Sequence, residues 1–227
     1  MTILVSDFDK TFFSSNYNSN IRAINDFVLK GNMFIIATGR NITDLLEEIS
    51  LVDIKYEYLI CNDGGAIYNK NLECLYRIDI DSSLGHLICN ILNKDDNITD
   101  IFIDNGYRLV NNCDNINAIV CHYKDKRKAL LGLANIMASF PLIHGYVSDN
   151  WINITNILVS KGNGIKILQT MFGFKKSDIV TVGDNINDVS MNKLFRGYMI
   201  ASGHDDLKKV SVGIVASVQQ LIEIIDK

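Results

Sequence analysis

Apolar residues fall along the chain in two kinds of block: short continuous runs, and longer stretches with apolar positions three or four apart. The first kind marks strands buried on both faces, the second amphipathic helices. Ile3-Leu4-Val5 is the first run, ending in Ser6-Asp7. Ile21, Ile24 and Val28 follow at helical spacing, with Ser19 or Asn20 as start signal and Gly31 as stop. Met33–Ala37 is a second run, Ile42, Leu45, Leu46 and Ile49 a second helix, and Tyr58–Cys61 a third run. This β-α-β-α-β order predicts a parallel sheet with helices on both faces.

The rhythm then changes. Leu84, Leu87, Ile88, Ile91 and Leu92 predict a helix, and Ile98–Asp104 and Tyr107–Val110 flank Asn105-Gly106, a hairpin signal. Ile116–Tyr123 predicts a strand, Leu130, Leu133, Ala134 and Met137 a helix, and Leu142–Val147 and Trp151–Thr155 two more strands. Helix-strand-strand, roughly repeated, predicts an open sheet with helices on one face, an α+β domain inserted at residues 80–156. The α/β rhythm returns at Gly162. Ile165, Leu168, Met171 and Phe172 form a helix closed by Gly173, and Ile179–Val182 a strand ending in Gly183-Asp184. Tyr198–Ala201 and Val212–Val215 are further strands, and Val218, Leu221, Ile222 and Ile225 the last helix. The expected class is therefore α/β, with a core from residues 1–79 and 157–227 interrupted by the insert. There is no repeat or low-complexity tract, and Pro141 is the only proline.

With 227 residues, 48% hydrophobic and 21% charged, the chain can bury a real core. A net charge of -4 argues against a general nucleic-acid binder. Cys61, Cys74, Cys89, Cys113 and Cys121 form no CxxC pair and read as free thiols in a reducing cytoplasm. The four histidines lack metal-binding spacing. No signal peptide and no membrane span is expected. Asn-x-Thr triplets at Asn41, Asn97 and Asn153 read as chance in an Asn-rich cytosolic chain.

Four polar clusters fall at strand ends or helix starts, where open α/β sheets place ligands. In Asp7-Phe8-Asp9-Lys10-Thr11, extended backbone lets Asp7 and Asp9 face one reacting group, as nucleophile and acid/base. Their mutual repulsion calls for a cation. Thr38-Gly39-Arg40 offers a hydroxyl, close backbone approach and helix-start N–H groups for a phosphate. Lys161, in Ser160-Lys161-Gly162, can neutralise phosphoryl charge. Asp184 and Asp188, in Gly183-Asp184-Asn185-Ile186-Asn187-Asp188, suit an oxygen-seeking cation such as Mg2+. Each cluster alone also fits a bland reading: a polar turn, a helix-entry turn, a solvated lysine, a helix N-cap. The conjunction, in one order, is what points to phosphoryl chemistry.

The same order resembles the four motifs of the haloacid dehalogenase (HAD) superfamily: DxDxT, a strand-end Thr, a Lys, then GDxxND. Ala37-Thr38-Gly39-Arg40, Asn62-Asp63-Gly64-Gly65-Ala66-Ile67-Tyr68 and Ser160-Lys161-Gly162 are most similar to the Cof-type branch (subfamily IIB). The resemblance covers nearly the whole chain and implies a Rossmann-like core with a cap inserted after the third core strand. It further implies a Mg2+-dependent phosphatase in which Asp7 attacks phosphorus and Asp9 protonates the leaving alcohol, then activates water. Asp7, the Asp9 backbone carbonyl and Asp184 would hold Mg2+, with Asp188 in support, and Thr38 and Lys161 would hold the phosphoryl oxygens. Thr11, Gly39, Arg40, Asn62 and Asn187 are the expected substrate-side residues. The implied partner is a small phosphorylated metabolite such as a sugar phosphate or phosphoglycolate, handled by a monomer or homodimer, with no nucleic acid and no membrane. Lys10 stands where Gly is common, and Ser202-Gly203-His204 where Met-Gly-Asn is common. The insert is shorter than in many Cof-type relatives.

Two other functions remain open on sequence. A phosphomutase of the phosphomannomutase type would need a basic patch on the cap, for which Arg108, Lys124, Lys126, Arg127 and Lys128 are the candidates. A non-catalytic binding protein on the same scaffold would show no Mg2+-dependent turnover. A response-regulator receiver fits the Asp7-x-Asp9-x-Thr11 run and the long insert poorly.

Overall fold

The computed structural model describes residues 1–112 and 114–226. Cys113, named above among the thiols, lies outside the described residues.

The elements in chain order are β1 (Ile3–Asp7), α1 (Tyr17–Leu29), β2 (Met33–Ala37), α2 (Ile42–Ile49), β3 (Tyr58–Cys61), β4 (Ala66–Asn69) and β5 (Cys74–Arg77). Next come α3 (Ser82–Leu92), β6 (Ile98–Asp104), β7 (Leu109–Val110), β8 (Ala118–Tyr123), α4 (Lys126–Ser139), β9 (Ile143–Ser148) and β10 (Trp151–Asn156). The chain ends with α5 (Lys161–Phe172), β11 (Ile179–Gly183), α6 (Val189–Leu194), β12 (Arg196–Ile200), α7 (Asp205–Lys208), β13 (Gly213–Val215) and α8 (Val218–Ile225).

These form two sheets. The larger has the order β13-β12-β11-β1-β2-β3-β4-β5, parallel from β13 to β3 and antiparallel at β4 and β5. β1 is central because every one of its residues is buried. Leu4 enters the cluster that includes Ile24, Phe27 and Leu221, while Ile3 and Val5 enter the one with Ile165, Leu168 and Met191. Helices therefore cover both faces. The smaller sheet, β7-β6-β8-β10-β9, is antiparallel. The helices α3 and α4 bury Ile88, Leu92, Leu133 and Ile136 against Ile119, Cys121, Ile152 and Ile154 on one of its faces.

Some local details differ from the sequence reading. β4 and β5 extend the main sheet as an edge hairpin that the apolar pattern did not reveal. Its strands are four residues each, and β5 is only half-buried. Helix α1 starts at Tyr17 instead of Ser19 or Asn20, because Asn20 has another task. It is buried, donating to the Phe12 carbonyl (3.0 Å) and accepting from the Gln219 N–H (3.0 Å). Asn105-Gly106 is not a two-residue hairpin loop: Asp104 pairs with Leu109, leaving four residues in the turn. The Asp104 and Asn105 side chains accept the N–H groups of Gly106 (2.7 Å) and Arg108 (3.0 Å), which stabilises the wider loop.

Candidate active site

Chain order in the main sheet reverses at β1, with β2 and β3 on one side and β11 to β13 on the other. Ligand crevices form at such reversals, beyond the carboxyl ends of the strands. Asp7 is the last residue of β1, and Asp184 directly follows the neighbouring parallel strand β11.

Lys161 joins them from the first turn of α5, whose N-cap Ser160 accepts the Asn163 N–H (3.2 Å). Its ammonium is fully buried and donates to Asp7 Oδ1 (2.5 Å) and Asp188 Oδ1 (2.7 Å). A side chain at Gly162 would collide with the Ser190 carbonyl, and one at Gly183 with the Asp188 carboxyl. Glycine at both points lets α5 and the 184–188 loop close on the cation. Asp188 Oδ2 accepts the N–H groups of Asp184 (2.9 Å) and Asn185 (3.0 Å), so both its oxygens are engaged.

Burial works against the Lys161 charge, but Asp188 and Asp7 override it and raise the ammonium above the ordinary lysine value. Burial pushes the Asp7 carboxyl well up, Lys161 pulls it down, and Asp188 and Asp184 push it up again. Asp184 is also raised, by burial and by Asp188. One ammonium among three carboxylates leaves negative charge uncompensated. Asp7 Oδ2 is buried with no hydrogen-bond partner. Ligand atoms of Asp7, Asp184 and Asp188 lie within 4.8 Å of one another. An oxygen-only set with an orphaned acceptor fits a hard divalent cation.

The Asp9 carboxylate is not part of that cluster. Arg40 grips it with two bonds, Nε to Oδ2 (2.9 Å) and Nη2 to Oδ1 (2.7 Å), and also reaches Glu48 (3.4 Å). The guanidinium lies 5.3 Å from the centre of the Phe8 ring. Arg40 thus lines the cavity as a holder of Asp9. Among the other expected substrate-side residues, Gly39 and Asn187 also line the cavity. Thr11 and Asn62 are placed elsewhere: Thr11 donates to Asp184 Oδ1 (3.1 Å), and buried Asn62 bonds to Asp104. Thr38 is buried at the end of β2, its hydroxyl accepting the Arg40 N–H (3.1 Å).

The cavity over Asp7 encloses about 370 Å³. Its floor is the main sheet's carboxyl edge. Its roof is the helix-free face of the second sheet: Val120, Tyr146, Ser148, Trp151 and Asn153, with Asp149 at the hairpin tip. Asn153 pairs with both Val120 and Tyr146, so these side chains form one row. The Tyr146 hydroxyl donates to Asp63 Oδ2 (2.8 Å) and accepts from Asn153 Nδ2 (2.8 Å). Asn187 Nδ2 donates to Asp63 Oδ1 (2.8 Å). Burial and the Asp63 charge hold the Tyr146 hydroxyl well above its ordinary value, so it remains a donor. None of Arg108, Lys124, Lys126, Arg127 and Lys128 lines this cavity.

Sequence reasoning missed Tyr146, Asn153 and Trp151, while Asp63 lies in the Asn62–Ala66 turn it had marked as substrate-side. The available signal was the alternation His144, Tyr146, Ser148 and Trp151, Asn153, Thr155, a polar face opposite the apolar one.

A buried carboxylate–ammonium–carboxylate centre at the switch point of such a sheet, roofed by an inserted sheet, defines a class of α/β hydrolases. The chain belongs to the haloacid dehalogenase-like hydrolase family, whose sequence model matches residues 4–135 and 111–220. A protein of Buchnera aphidicola subsp. Baizongia pistaciae, provisionally named a phosphatase, is 24% identical over 240 residues, covering 91% of this chain and 89% of its own. A 61-residue stretch is 36% identical to a phosphoglycolate phosphatase of Methanosarcina mazei, covering 26% of this chain and 27% of that one. The structure of a haloacid dehalogenase-like hydrolase from B. subtilis superposes with a TM-score of 0.87 at 15% identity, covering 100% of this chain and 99% of that one. At that identity the likeness is one of fold. Among the described residues no helix is long and apolar enough to cross a membrane.

Proposed function

We propose that this chain is a Mg2+-dependent phosphatase of small phosphate monoesters, working through an aspartyl-phosphate on Asp7. The observation that carries the reading is the Asp7 carboxylate itself. One oxygen is held by a buried ammonium, and the other is buried without a donor beside two further carboxylates.

Asp7 attacks phosphorus, forming an acyl phosphate as the ester P–O bond breaks. The departing alkoxide takes a proton from Asp9, which lines the cavity and must turn out of the two-bond Arg40 clamp to give it. Water then loses a proton to Asp9 and attacks phosphorus, releasing inorganic phosphate and restoring Asp7. Lys161 offsets charge on the phosphoryl oxygens from below, while the second sheet acts as a cap that limits water. Mg2+, held by Asp7 and Asp184 with Asp188 behind them, would supply further positive charge to the phosphoryl group. Positioning and charge do most of the work in such transfers.

The test is phosphate release from para-nitrophenyl phosphate and a panel of sugar phosphates and phosphoglycolate, with Mg2+, with chelator, and with Asp7→Asn protein. Release that needs both Mg2+ and Asp7 is expected. No release from any ester by folded protein in Mg2+ would overturn the reading.

A further inference from the structure

The cavity over Asp7 is continuous in its walls with a second one of about 430 Å³, Lys10, Ser148, Asp149, Asp184 and Asn185 being common to both. The side cavity adds Lys126, the first residue of α4, and Ser202-Gly203-His204 from the loop after β12. Neither Lys10 nor this loop has a part in the chemistry above.

The Lys10 backbone is informative. Its φ is 63°, in the left-handed region that glycine enters freely and lysine only at a cost. The turn imposes this: the Lys10 N–H donates to the Phe13 carbonyl (2.9 Å), and the Phe13 N–H to the Phe8 carbonyl (2.7 Å). Glycine would serve that turn without strain, so what lysine adds is a cationic side chain on a residue that lines both cavities. Among the described residues the ammoniums of Lys10 and Lys126 have no ion-pair partner. The wall also holds Asp149, and Asp184 where it faces the Asp7 cluster. Asp184 is committed to that cluster, and His204 Nδ1 accepts the Asp206 N–H (3.2 Å) with the Asp206 carboxylate 3.8 Å away, so Lys10 and Lys126 are the cations of this wall without a carboxylate partner, and Asp149 is its remaining acid.

The geometry points to a second-anion subsite: a carboxylate or phosphate of the substrate seats between Lys10, Lys126 and His204 while the ester phosphate lies on Asp7. The inference rests on the phosphatase reading and narrows its substrates to phosphate esters bearing a further anionic group. A charged donor–acceptor contact in a partly enclosed site favours such a ligand by about tenfold.

The experiment compares matched pairs in Mg2+: glycerol 3-phosphate with 3-phosphoglycerate, which adds a carboxylate, and fructose 6-phosphate with fructose 1,6-bisphosphate, which adds a phosphate. The doubly anionic member should show about tenfold higher kcat/KM in at least one pair, and the pair identifies which anion the subsite takes. In Lys10→Gly and Lys126→Ala proteins that ratio should fall toward one. Glycine suits the left-handed turn and Lys126 is exposed, so both variants keep the fold. Para-nitrophenyl phosphate tests the phosphatase chemistry separately. Calorimetric titration of the same four esters into Asp7→Asn protein reads the subsite without turnover, and the same preference should appear in Kd. Equal ratios within both pairs, or ratios unmoved by either lysine variant, would overturn the inference while leaving the phosphatase reading standing.

Discussion

Tyr146, from the wall of the cavity over Asp7, meets Asp63, hydroxyl to carboxylate at 2.8 Å, and joins the second sheet to the main one. Asp63 reaches this position from a turn in which Asn62, Asp63 and Gly64 are all left-handed, with φ of 48°, 55° and 104°. Asn153 and Asn187 complete the network from either side. The roof is thereby latched to the main sheet.

Removing the hydroxyl should loosen this latch without emptying much volume. Tyr146→Phe leaves Asp63 Oδ2 without its donor, a loss of about 1–3 kcal/mol. For a chain of this size that lowers Tm by roughly 2–12 °C. Amide exchange in β9 and β10 should quicken, and kcat/KM should fall. An unchanged Tm with unchanged exchange in those two strands would mean the network is not a latch.

Asp7→Asn should abolish turnover and yet stabilise the protein in chelator. The folded state disfavours the Asp7 charge, through burial and through Asp188 and Asp184, despite Lys161. A neutral isostere escapes that penalty, and Lys161 retains Asp188 as partner. A higher Tm than wild type without metal is expected by thermal melt, with the order reversing in Mg2+.

The pH dependence follows with a definite sign. Asp7 and Asp184 both have folded-state values above the ordinary 3.8 of an unfolded aspartate. Between those values the native state holds more protons than the unfolded one, so their contribution to stability falls as pH rises. Metal-free protein should thus lose Tm on going upward from about pH 4 through the raised values of the two groups. Mg2+ competes with those protons, and should raise Tm more at pH 8 than at pH 5. A Mg2+-induced rise that is the same at both would count against a shared site.

Asp9 serves both halves of the proposed reaction, and a good leaving group separates them. Para-nitrophenolate departs without a proton, so Asp9→Asn protein should release about one equivalent of nitrophenol in a burst. Steady turnover should then be slowed about 10²–10⁴-fold, the usual worth of a general base. Alkyl phosphates should show no burst. Rapid-mixing absorbance measurements decide this, and wild-type steady turnover in the variant would remove Asp9 from the mechanism.

The parts of the site carried by strand ends and helix starts were readable in the chain. Asp7, Lys161, Asp184 and Asp188 each follow an apolar run or open a helix, and the fold brings these four together. Thr11 and Asn62 show the limit of that method. A polar residue in a motif can face the cavity or brace a neighbour, and these two brace Asp184 and Asp104. The roof was hidden for another reason. Whether Tyr146 faces the helices or the cavity depends on how α4 packs on the sheet, which strand periodicity alone does not fix. The edge hairpin β4–β5 was hidden because two short strands joined by Asn69 to Glu73 carry no recognised turn signal.

The central place of β1 bears on how the molecule is made. Its other partner, β11, is paired from Ile3↔Ile179 to Ser6↔Val182, so β1 awaits a strand synthesised long after it. Until then β1 can pair with β2 alone, and one row of its backbone groups is an open edge flanked by Ile3 and Val5. Asp7 likewise waits for the Lys161 ammonium, and Lys161 for Asp188. Between the emergence of β1 and that of β11 the nascent chain therefore carries a template for mispairing, and the Asp7–Lys161–Asp188 cluster comes into being in the same event that seals that edge.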